Sequence, residues 1–335
     1  MEQNNIEKWF NIIDHTSIIL QQELHVSYLE AVALTGDNVF EGAILQEELT
    51  PNEIITKKLQ KEYNSLHIER FSKEEIRKGY QLAILKGMKD STQSHHQMTP
   101  DAVALFVSFL VNKLTKNLEE LTILDPAAGT GNLLTAVLNQ LTQKDVKSLG
   151  IEIDDLLVKL GFINANLQEH PTEFFNQDAL QDLFIDPVDI TICDLPVGYY
   201  PNDLGAEKFE LRNTNGHSLA HHLFIEQSFR YTKEGGTLLF VVPNKLFEGE
   251  HASQLHGFIK EHGVILGLLQ LPLSMFKSED HAKSIFMLRK KGFDVTPPKQ
   301  ALLANLPSFS NKNAMQGMIG RIEQWFNTQY HVSSE

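Results

Sequence analysis

The 335-residue chain is 42% hydrophobic and 21% charged, a composition typical of globular proteins and long enough for one α/β domain with an additional segment. Its 29 basic and 43 acidic residues give a net charge of −14, so the chain as a whole lacks the excess of cations that favours nucleic-acid binding. No apolar run approaches the roughly 18 residues of a membrane span, and no basic and apolar leader opens the chain. The single cysteine excludes an internal disulfide. Together these features predict a cytoplasmic protein that does not bind a membrane.

The first part of the chain is predicted to form a helical accessory domain. Apolar residues recur at three- and four-residue spacing from Trp9 onwards, and strand-like alternation is rare. Ser72 and Glu75 have the spacing of a capping box at the start of a helix. We therefore divide the chain into a helical domain over residues 1–95, which could bind a partner protein, and a second domain over residues 96–335.

From about residue 120, short apolar runs alternate with helical patterns. The predicted strands are Leu121–Pro126, Val146–Ile153, Glu173–Phe175, Val188–Cys193, Thr237–Pro243, Val264–Leu271 and Ser284–Arg289. The predicted helices are residues 155–168, Leu219–Tyr231, Ala252–Lys260 and Met315–Phe326. This alternation predicts an α/β fold with a seven-stranded, mostly parallel sheet and helices on both faces. Ligands bind such sheets at the carboxyl ends of the strands, so the loops after strands one, two and four are predicted to carry the chemistry.

A glycine-containing loop follows the first predicted strand and leads into a helix. It reads Asp125-Pro126-Ala127-Ala128-Gly129-Thr130-Gly131-Asn132. Gly129 and Gly131 permit a tight turn and the close approach of a ligand to the backbone. Thr135 stands where a dinucleotide fingerprint would have its last glycine, and no Lys-Ser/Thr pair follows, so the loop is not built for a pyrophosphate or a nucleoside triphosphate. A ligand that joins an amino-acid group to a nucleoside without phosphate would suit it.

A carboxylate ends the second predicted strand. Glu152 lies 21 positions after Gly131, where a carboxylate can accept hydrogen bonds from both hydroxyls of a ribose. Ile153 beside it could pack against an adenine ring. The alternative for Glu152 is a surface carboxylate at the start of the next helix, where Asp154 and Asp155 already favour the helix N-terminus.

The glycine-containing loop resembles the first S-adenosylmethionine (SAM) motif of the amino-group methyltransferases, especially the adenine-N6 DNA type and the modification subunits of type I restriction systems. The resemblance covers about residues 72–290 and implies a class I methyltransferase fold, which is Rossmann-like, with SAM as the cofactor. It implies cofactor-binding roles for Thr99, Asp125, Ala127, Gly129, Gly131, Asn132, Glu152, Ile153, Asp178, Ala179 and Asp194.

The same resemblance suggests what several of these residues contact. Gly129 and Gly131 would lie under the methionine part of SAM, and Asp125 would help to hold its amino group. Thr99 belongs to a Thr-Pro segment that closes over the methionine end in the family, although a plain helix cap is the alternative. Asp178 would accept a hydrogen bond from the adenine amino group of SAM.

The loop after the fourth strand is similar to the Asn/Asp/Ser-Pro-Pro-aromatic motif of the same family. It reads Asp194-Leu195-Pro196-Val197-Gly198-Tyr199-Tyr200-Pro201. The amino group of adenine is a poor nucleophile because its lone pair is delocalised into the ring. Asp194 and the backbone carbonyl of Leu195 are predicted to accept both amino hydrogens, which stabilises the positive charge of the transition state.

This loop departs from the family motif at two positions. Pro196 matches, but Leu195 replaces the first proline and Val197 replaces the aromatic residue. A ring from a shifted position, Tyr199 or Tyr200, is therefore the candidate to stack on a base flipped out of the duplex. If neither ring reaches the acceptor, the acceptor is not a nucleobase or catalysis is lost.

The leading prediction is a SAM-dependent N-methyltransferase that acts on adenine in DNA. Two features oppose unaided DNA binding: the net charge of −14 and the short stretch after strand seven, which is too small for a target-recognition domain. One alternative is a protein methyltransferase that modifies glutamine side chains, since relatives use the same motif for that chemistry. The other is a non-catalytic SAM-binding protein whose helical domain mediates assembly.

A metal site is not predicted. His217 and His221 have the four-residue spacing of two helical metal ligands. No glutamate stands between them in the pattern of a zinc protease, and no third ligand is evident.

Overall fold

The computed structural model describes residues 4–46, 53–90, 98–143, 145–249, 251–293 and 295–330. Its strands are β1 (Glu120–Asp125), β2 (Asp145–Glu152), β3 (Thr172–Asn176), β4 (Val188–Asp194), β5 (Thr232–Pro243), β6 (Gly263–Gln270), β7 (Lys283–Lys290) and β8 (Leu302–Asn305). They form one sheet in the order β3-β2-β1-β4-β5-β7-β6-β8.

The predicted α/β fold with a mostly parallel sheet is confirmed. The pairs β1–β4, β2–β3, β4–β5 and β6–β8 are parallel, and β7 runs antiparallel to both β5 and β6. The described residues hold eight strands where the sequence predicted seven, because Leu302–Asn305 pairs with β6. Four residues are too few to show a periodicity, so tertiary pairing alone reveals this strand.

The helical N-terminal region is also confirmed. The helices are α1 (Asn5–Leu24), α2 (Tyr28–Glu41), α3 (Glu53–Ser65), α4 (Lys73–Asp90), α5 (Asp101–Leu114), α6 (Asn132–Leu138), α7 (Asp155–Leu167), α8 (Asp203–Ala206), α9 (Ala220–Arg230), α10 (Ala252–His262) and α11 (Lys312–Trp325). The predicted capping box precedes α4: the Ser72 hydroxyl accepts from the Glu75 amide at 3.3 Å, and the Glu75 carboxylate accepts from the Ser72 amide at 2.8 Å. No helix among these is long and apolar enough to cross a membrane.

The chain divides into two compact units. The first comprises the described parts of residues 1–108, 128–141 and 148–177, and the second those of residues 109–127, 142–147 and 178–335. The predicted domain boundary at residue 95 lies outside the described residues and stays a prediction.

In the first unit, the N-terminal helices share one hydrophobic core with α7. Trp9, Val32 and Tyr80 are buried in the same cluster as Leu160 and Ile163 of α7. An ideal Cβ built on Gly36 of α2 would lie only 2.4 Å from Ile163 Cγ2, so the glycine permits α2 to approach α7 closely. The N-terminal helices therefore cover α7, the helix that connects β2 to β3.

In the second unit, the core surrounds β4, β5 and β7. Cys193, Phe240 and Phe286 are each at most 1% exposed and belong to one cluster with Ile225 and Phe229 of α9. These strands are buried along most of their length, which explains why they appear in the sequence as continuous apolar runs rather than as an alternation.

Candidate functional site

The part of the glycine-containing loop that lies in the first unit leaves open space beside its backbone. Gly129 and Gly131 have φ of +53° and +69°, the left-handed region that favours glycine. An ideal Cβ on Gly131 would lie 3.2 Å from Phe174 Cζ and 3.3 Å from Gly161 Cα, so a side chain here would fit only tightly. An ideal Cβ on Gly129 would meet nothing within 4 Å. The loop therefore has a packed side at Gly131 and an open side at Gly129.

Glu152 is held against this loop by backbone amides. Its Oε2 accepts a hydrogen bond from the Gly129 amide at 2.9 Å, and its Oε1 accepts from the amides of Ile153 and Asp154 at 3.0 Å each. Asp154, rather than Glu152, caps α7, because its Oδ1 accepts from the Leu156 amide at 3.0 Å. Glu152 is thus fixed beside the open side of the loop, and Ile153 next to it is 66% exposed.

Asn132 and Thr99 are buried and bonded to each other. Asn132 is 3% exposed and Thr99 is 7% exposed, and Asn132 Nδ2 donates to the Thr99 carbonyl at 3.2 Å. The carbonyl of Pro100 accepts from the Ala104 amide at 3.0 Å at the start of α5, directly after Thr99. Direct contacts of Thr99 and Asn132 with a cofactor stay predictions, and their visible role is to hold each other in place.

In the second unit, two acidic residues lie at the carboxyl ends of neighbouring parallel strands. Leu124 of β1 pairs with Thr191 of β4, so Asp125 and Asp194 end their strands at the same edge. The Asp125 Oδ1 accepts from the Ala127 amide at 3.2 Å. Burial raises the pKa of the Cys193 thiol well above its usual range, and the charges of Asp125 and Asp194 add to this effect. Cys193 therefore stays a neutral core side chain.

Asp194 forms an ion pair with Lys283, which no local sequence pattern indicates. Its Oδ1 accepts from Lys283 Nζ at 2.7 Å, and the two side chains are only 15% and 23% exposed. The partners are 89 positions apart in the chain. They meet because Val241 and Pro243 of β5 pair with Asp194 and Lys283 respectively.

The residues that follow Asp194 are partly buried. Leu195 is 2% exposed, and its amide donates to the Val241 carbonyl at 3.1 Å. Pro196 is half-buried, and Val197 is 61% exposed. The backbone that carries the family motif is therefore anchored on β5, while the side chain at the motif's aromatic position points into solvent.

Asp178 is bonded to one of the two candidate tyrosines. The hydroxyl of Tyr200 donates to Asp178 Oδ2 at 2.6 Å, and the Leu180 amide donates to Asp178 Oδ1 at 2.9 Å. Burial raises the pKa of Tyr200 to about 12, and the bond to Asp178 contributes. Ala179 beside it is 4% exposed. The carboxylate of Asp178 is thus oriented by Tyr200.

The same contacts correct the prediction for the stacking ring. Tyr200 is 6% exposed, and its ring packs in a cluster with Phe209 and Leu223, so it presents no free face. Tyr199 is 69% exposed, and its ring centroid lies 6.4 Å from that of His217. Of the two tyrosines, Tyr199 is therefore the one with an exposed ring.

The histidines near this loop have separate partners. His217 Nδ1 lies 3.0 Å from Asp203 Oδ1, whereas His221 and His222 are buried and pack ring edge against ring face. Burial lowers the pKa of His221 to about 4 and, with the charges of His221 and His251, the pKa of His222 to about 3. Over the part of the chain that the structure describes, no three His, Cys, Asp or Glu side chains could together hold a metal ion.

We expect these buried histidines to make stability fall with acidification. In the unfolded chain they take up a proton near pH 6.5, but in the folded chain His221 and His222 stay neutral until about pH 4 and 3. Between these values the unfolded state binds more protons, so lowering the pH favours unfolding, by on the order of 1–2 kcal/mol per histidine at pH 5. Thermal unfolding followed from pH 8 to pH 5 checks this prediction.

The control for this prediction uses one buried and one exposed histidine. The His222→Leu variant should lose less stability between pH 8 and pH 5 than the unmodified protein, whereas exposed His15→Leu should behave as the unmodified protein does. An unfolding temperature that does not change over this range would contradict the prediction.

Comparison with known protein families gives two matches along the chain. Residues 85–332 match the family described as N-6 DNA Methylase. Residues 7–88 match a family described as YtxK N-terminal helical domain.

Individual relatives agree with these matches. The chain is 50% identical over 329 residues to the Bacillus subtilis protein called uncharacterized protein YtxK, covering 98% of this chain and 100% of the relative. A Listeria monocytogenes protein, assigned by inference to the class I SAM-dependent methyltransferases, has a crystal structure with a TM-score of 0.89 and 47% identity, covering 96% and 99% of the two chains. The type I restriction-modification methyltransferase subunit of Streptococcus thermophilus has a TM-score of 0.64 and 17% identity, covering 94% and 74%, and shares the fold.

Proposed function

The chain belongs to the N-6 DNA methylase family of class I methyltransferases, and we propose that it transfers a methyl group from SAM to an exocyclic amino nitrogen, with N6 of adenine in DNA as the first candidate acceptor. The observation that carries the proposal is the position of Asp194. It ends β4, beside the end of the strand that leads into the glycine-containing loop.

The residues of the first unit fit SAM. The open side of Gly129 admits a ligand that a larger side chain would exclude, and it suits the methionine part. Glu152 is fixed by three amides beside that space and is proposed to accept from the ribose hydroxyls. Exposed Ile153 is proposed to cover the adenine ring. Bound SAM supplies an electrophilic methyl group.

Further residues of each unit are proposed to contact SAM. In the second unit these are Asp125, Ala127, Asp178, Ala179 and Asp194, and in the first unit Gly131, Asn132 and Thr99. Asp178 is held by the Tyr200 hydroxyl and is proposed to accept from the adenine amino group, which gives the buried tyrosine a role in orienting the carboxylate.

Asp194 and the Leu195 carbonyl are proposed to activate the acceptor nitrogen. Both are hydrogen-bond acceptors, and accepting the two amino hydrogens moves electron density back onto the nitrogen. The ion pair with Lys283 holds the Asp194 carboxylate in place, and the bond from the Leu195 amide to β5 fixes the carbonyl that follows. Pro196 stiffens the turn after them. Preorganised acceptors of this kind need no rearrangement during the reaction.

Tyr199 is proposed to stack on the acceptor. We expect Tyr199→Ala to slow transfer to a nucleobase by roughly tenfold to a hundredfold, because stacking of a base on an aromatic ring contributes about 1–3 kcal/mol. Tyr199→Phe should retain most of the activity. Initial rates with labelled SAM and a DNA acceptor check the prediction, with Phe184→Ala as a control because Phe184 is a 96% exposed aromatic residue elsewhere in the second unit. Equal rates for the two alanine variants would contradict it.

A protein acceptor is the second candidate, and the charge of the acceptor loop favours it. Residues 195–219 contain three acidic and two basic side chains. Both basic side chains have partners within the protein: Lys208 Nζ lies 2.7 Å from Asp182 Oδ1, and Arg212 donates to the Glu207 carbonyl at 3.1 Å. A phosphate backbone needs clustered cations, whereas the amide of a glutamine side chain does not.

The experiment that tests the proposal is methyl transfer from labelled SAM, with unmethylated duplex DNA and a cell protein extract as parallel acceptors. Label in adenine would support the DNA reaction, and label confined to protein would move the proposal to the second candidate. If no acceptor is labelled while SAM still binds, the result would favour a non-catalytic SAM-binding protein. That outcome would agree with Leu195 and Val197, which stand where the family motif has a proline and an aromatic residue.

A further inference from the structure

Arg77 on α4 is fully buried, with 0% of its surface exposed, and joins three parts of the first unit. Its Nε and Nη2 donate to the two carboxylate oxygens of Glu74 at 2.8 and 2.6 Å, and Nη2 also donates to Asp101. Its Nη1 donates to Asn132 Oδ1 at 2.7 Å. A guanidinium offers five donors in a planar fork, so one side chain can reach all three partners. Arg77 thereby connects α4 to the first residues of α5 and α6.

Helix α4 holds α6 at both ends. Asn132 is the first residue of α6, and Asn139 at its C-terminal cap donates from Nδ2 to Glu74 Oε2 at 3.1 Å. Glu74 and Arg77 are one helical turn apart on α4. Because α6 has only seven residues, few intrahelical hydrogen bonds stabilise it, and external bonds largely determine its position.

The position of α6 determines the position of the glycine-containing loop. Gly131 immediately precedes α6 as its N-terminal cap, and its carbonyl accepts from Thr135 Oγ1 at 2.8 Å. Asn132 also holds the Thr99 carbonyl at 3.2 Å. A shift of Asn132 would therefore move both Gly131 and the Thr99 segment.

The carboxylates around Arg77 make the arrangement depend on its charge. Burial alone would lower the pKa of Arg77, but the bonds from Glu74 and Asp101 outweigh this effect and raise it. Without the guanidinium, both carboxylates would turn towards water or towards Lys78, whose Nζ lies 3.3 Å from Glu74 and 3.6 Å from Asp101. The bonds to both ends of α6 would then be lost together.

We propose that Arg77 is a positioning residue for SAM binding, which makes the N-terminal helices part of the cofactor site and not only a surface for assembly. The inference rests on the proposed use of SAM. Arg77 fixes the start of α6, the preceding Gly131 and the Thr99 segment through Asn132, and the cofactor then binds to a loop that is already in place.

The test compares SAM affinity with stability in three variants. Arg77→Met removes the charge and all four bonds, and Arg77→Lys keeps a cation between Glu74 and Asp101 but lacks the fork that reaches Asn132. Ile84→Ala is the control, since Ile84 lies on the same helix, is 1% exposed, and contributes only to the hydrophobic core. Calorimetric titration with SAM is performed at a temperature where circular dichroism shows each variant to be folded.

We expect both Arg77 variants to bind SAM at least about tenfold more weakly, the loss that one bond to a charged group typically accounts for. Ile84→Ala should unfold at a lower temperature and bind SAM with unchanged affinity. If Arg77→Met does not fold, Arg77→Lys decides the question. Unchanged SAM affinity in the folded Arg77 variants would overturn the proposal. A loss of SAM affinity that is proportional to the loss of stability in all three variants would overturn it as well. If the unmodified protein does not bind SAM, the proposed function itself fails.

Discussion

Replacing Asp194 with alanine should reduce methyl transfer by about a thousandfold or more while SAM affinity changes by less than about threefold. The carboxylate is proposed to act chiefly on the acceptor nitrogen in the transition state, and many other residues are proposed to contact SAM, so its removal lowers the rate of the chemical step far more than the binding of the cofactor. Labelled-methyl transfer to whichever acceptor the unmodified protein uses, together with a calorimetric titration of SAM, measures both quantities.

The ion pair with Lys283 requires two control variants. Asp194→Ala leaves the Lys283 ammonium 23% exposed and without its carboxylate, which lowers stability as well as activity. Asp194→Asn keeps an oxygen acceptor of the same shape and should retain transfer to within about a hundredfold, since a side-chain oxygen is what the motif requires. Lys283→Met removes the cation and keeps the carboxylate. Full transfer in a folded Asp194→Ala protein would refute the role of Asp194, and equal loss in all three variants would assign the effect to the ion pair.

The parts of the fold that the sequence predicts are those encoded by local patterns. The strand that ends at Asp194 appears in the sequence as a short apolar run followed by an acidic residue, and the structure contains this strand as β4. The loop of Gly129 and Gly131 appears as glycines between an apolar run and a helical pattern, and in the structure Gly131 directly precedes α6. The position of Glu152 follows from its spacing after the loop, and its bond to the Gly129 amide is consistent with that spacing.

The parts that the sequence does not predict depend on contacts between distant positions. Lys283 meets Asp194 across 89 residues because β5 lies between their strands, and Arg77 meets Asn132 across 55 residues. Neither lysine nor arginine in a helix or strand carries a local signal for burial, since most of them are exposed. The position of Tyr200 in the chain makes it a candidate to stack on the acceptor. Only the tertiary packing reveals that its side chain is buried and that its hydroxyl donates to Asp178.

Gly129→Ala should weaken SAM binding by up to about a hundredfold and should leave the fold nearly intact. The new methyl group would meet no atom of the protein within 4 Å, so it does not clash with the folded chain. It would instead fill the space where the methionine part of SAM is proposed to lie, and forcing an extra methyl group into a filled site typically costs about 1–3 kcal/mol. The structural cost is the left-handed backbone at φ +53°, roughly 1–2 kcal/mol for a residue with a Cβ.

Gly42→Ala is a matched control for this prediction. Gly42 ends α2 with φ of +66°, and an ideal Cβ there also meets nothing within 4 Å, so alanine imposes the same backbone strain in the same kind of open space. Both variants should therefore lose a similar amount of stability in chemical denaturation, and only Gly129→Ala should lose SAM in a calorimetric titration. If both variants bind SAM as the unmodified protein does, the open side of Gly129 is not the cofactor site. If both lose SAM to the same degree, the loss reflects backbone strain, because the two sites share nothing else.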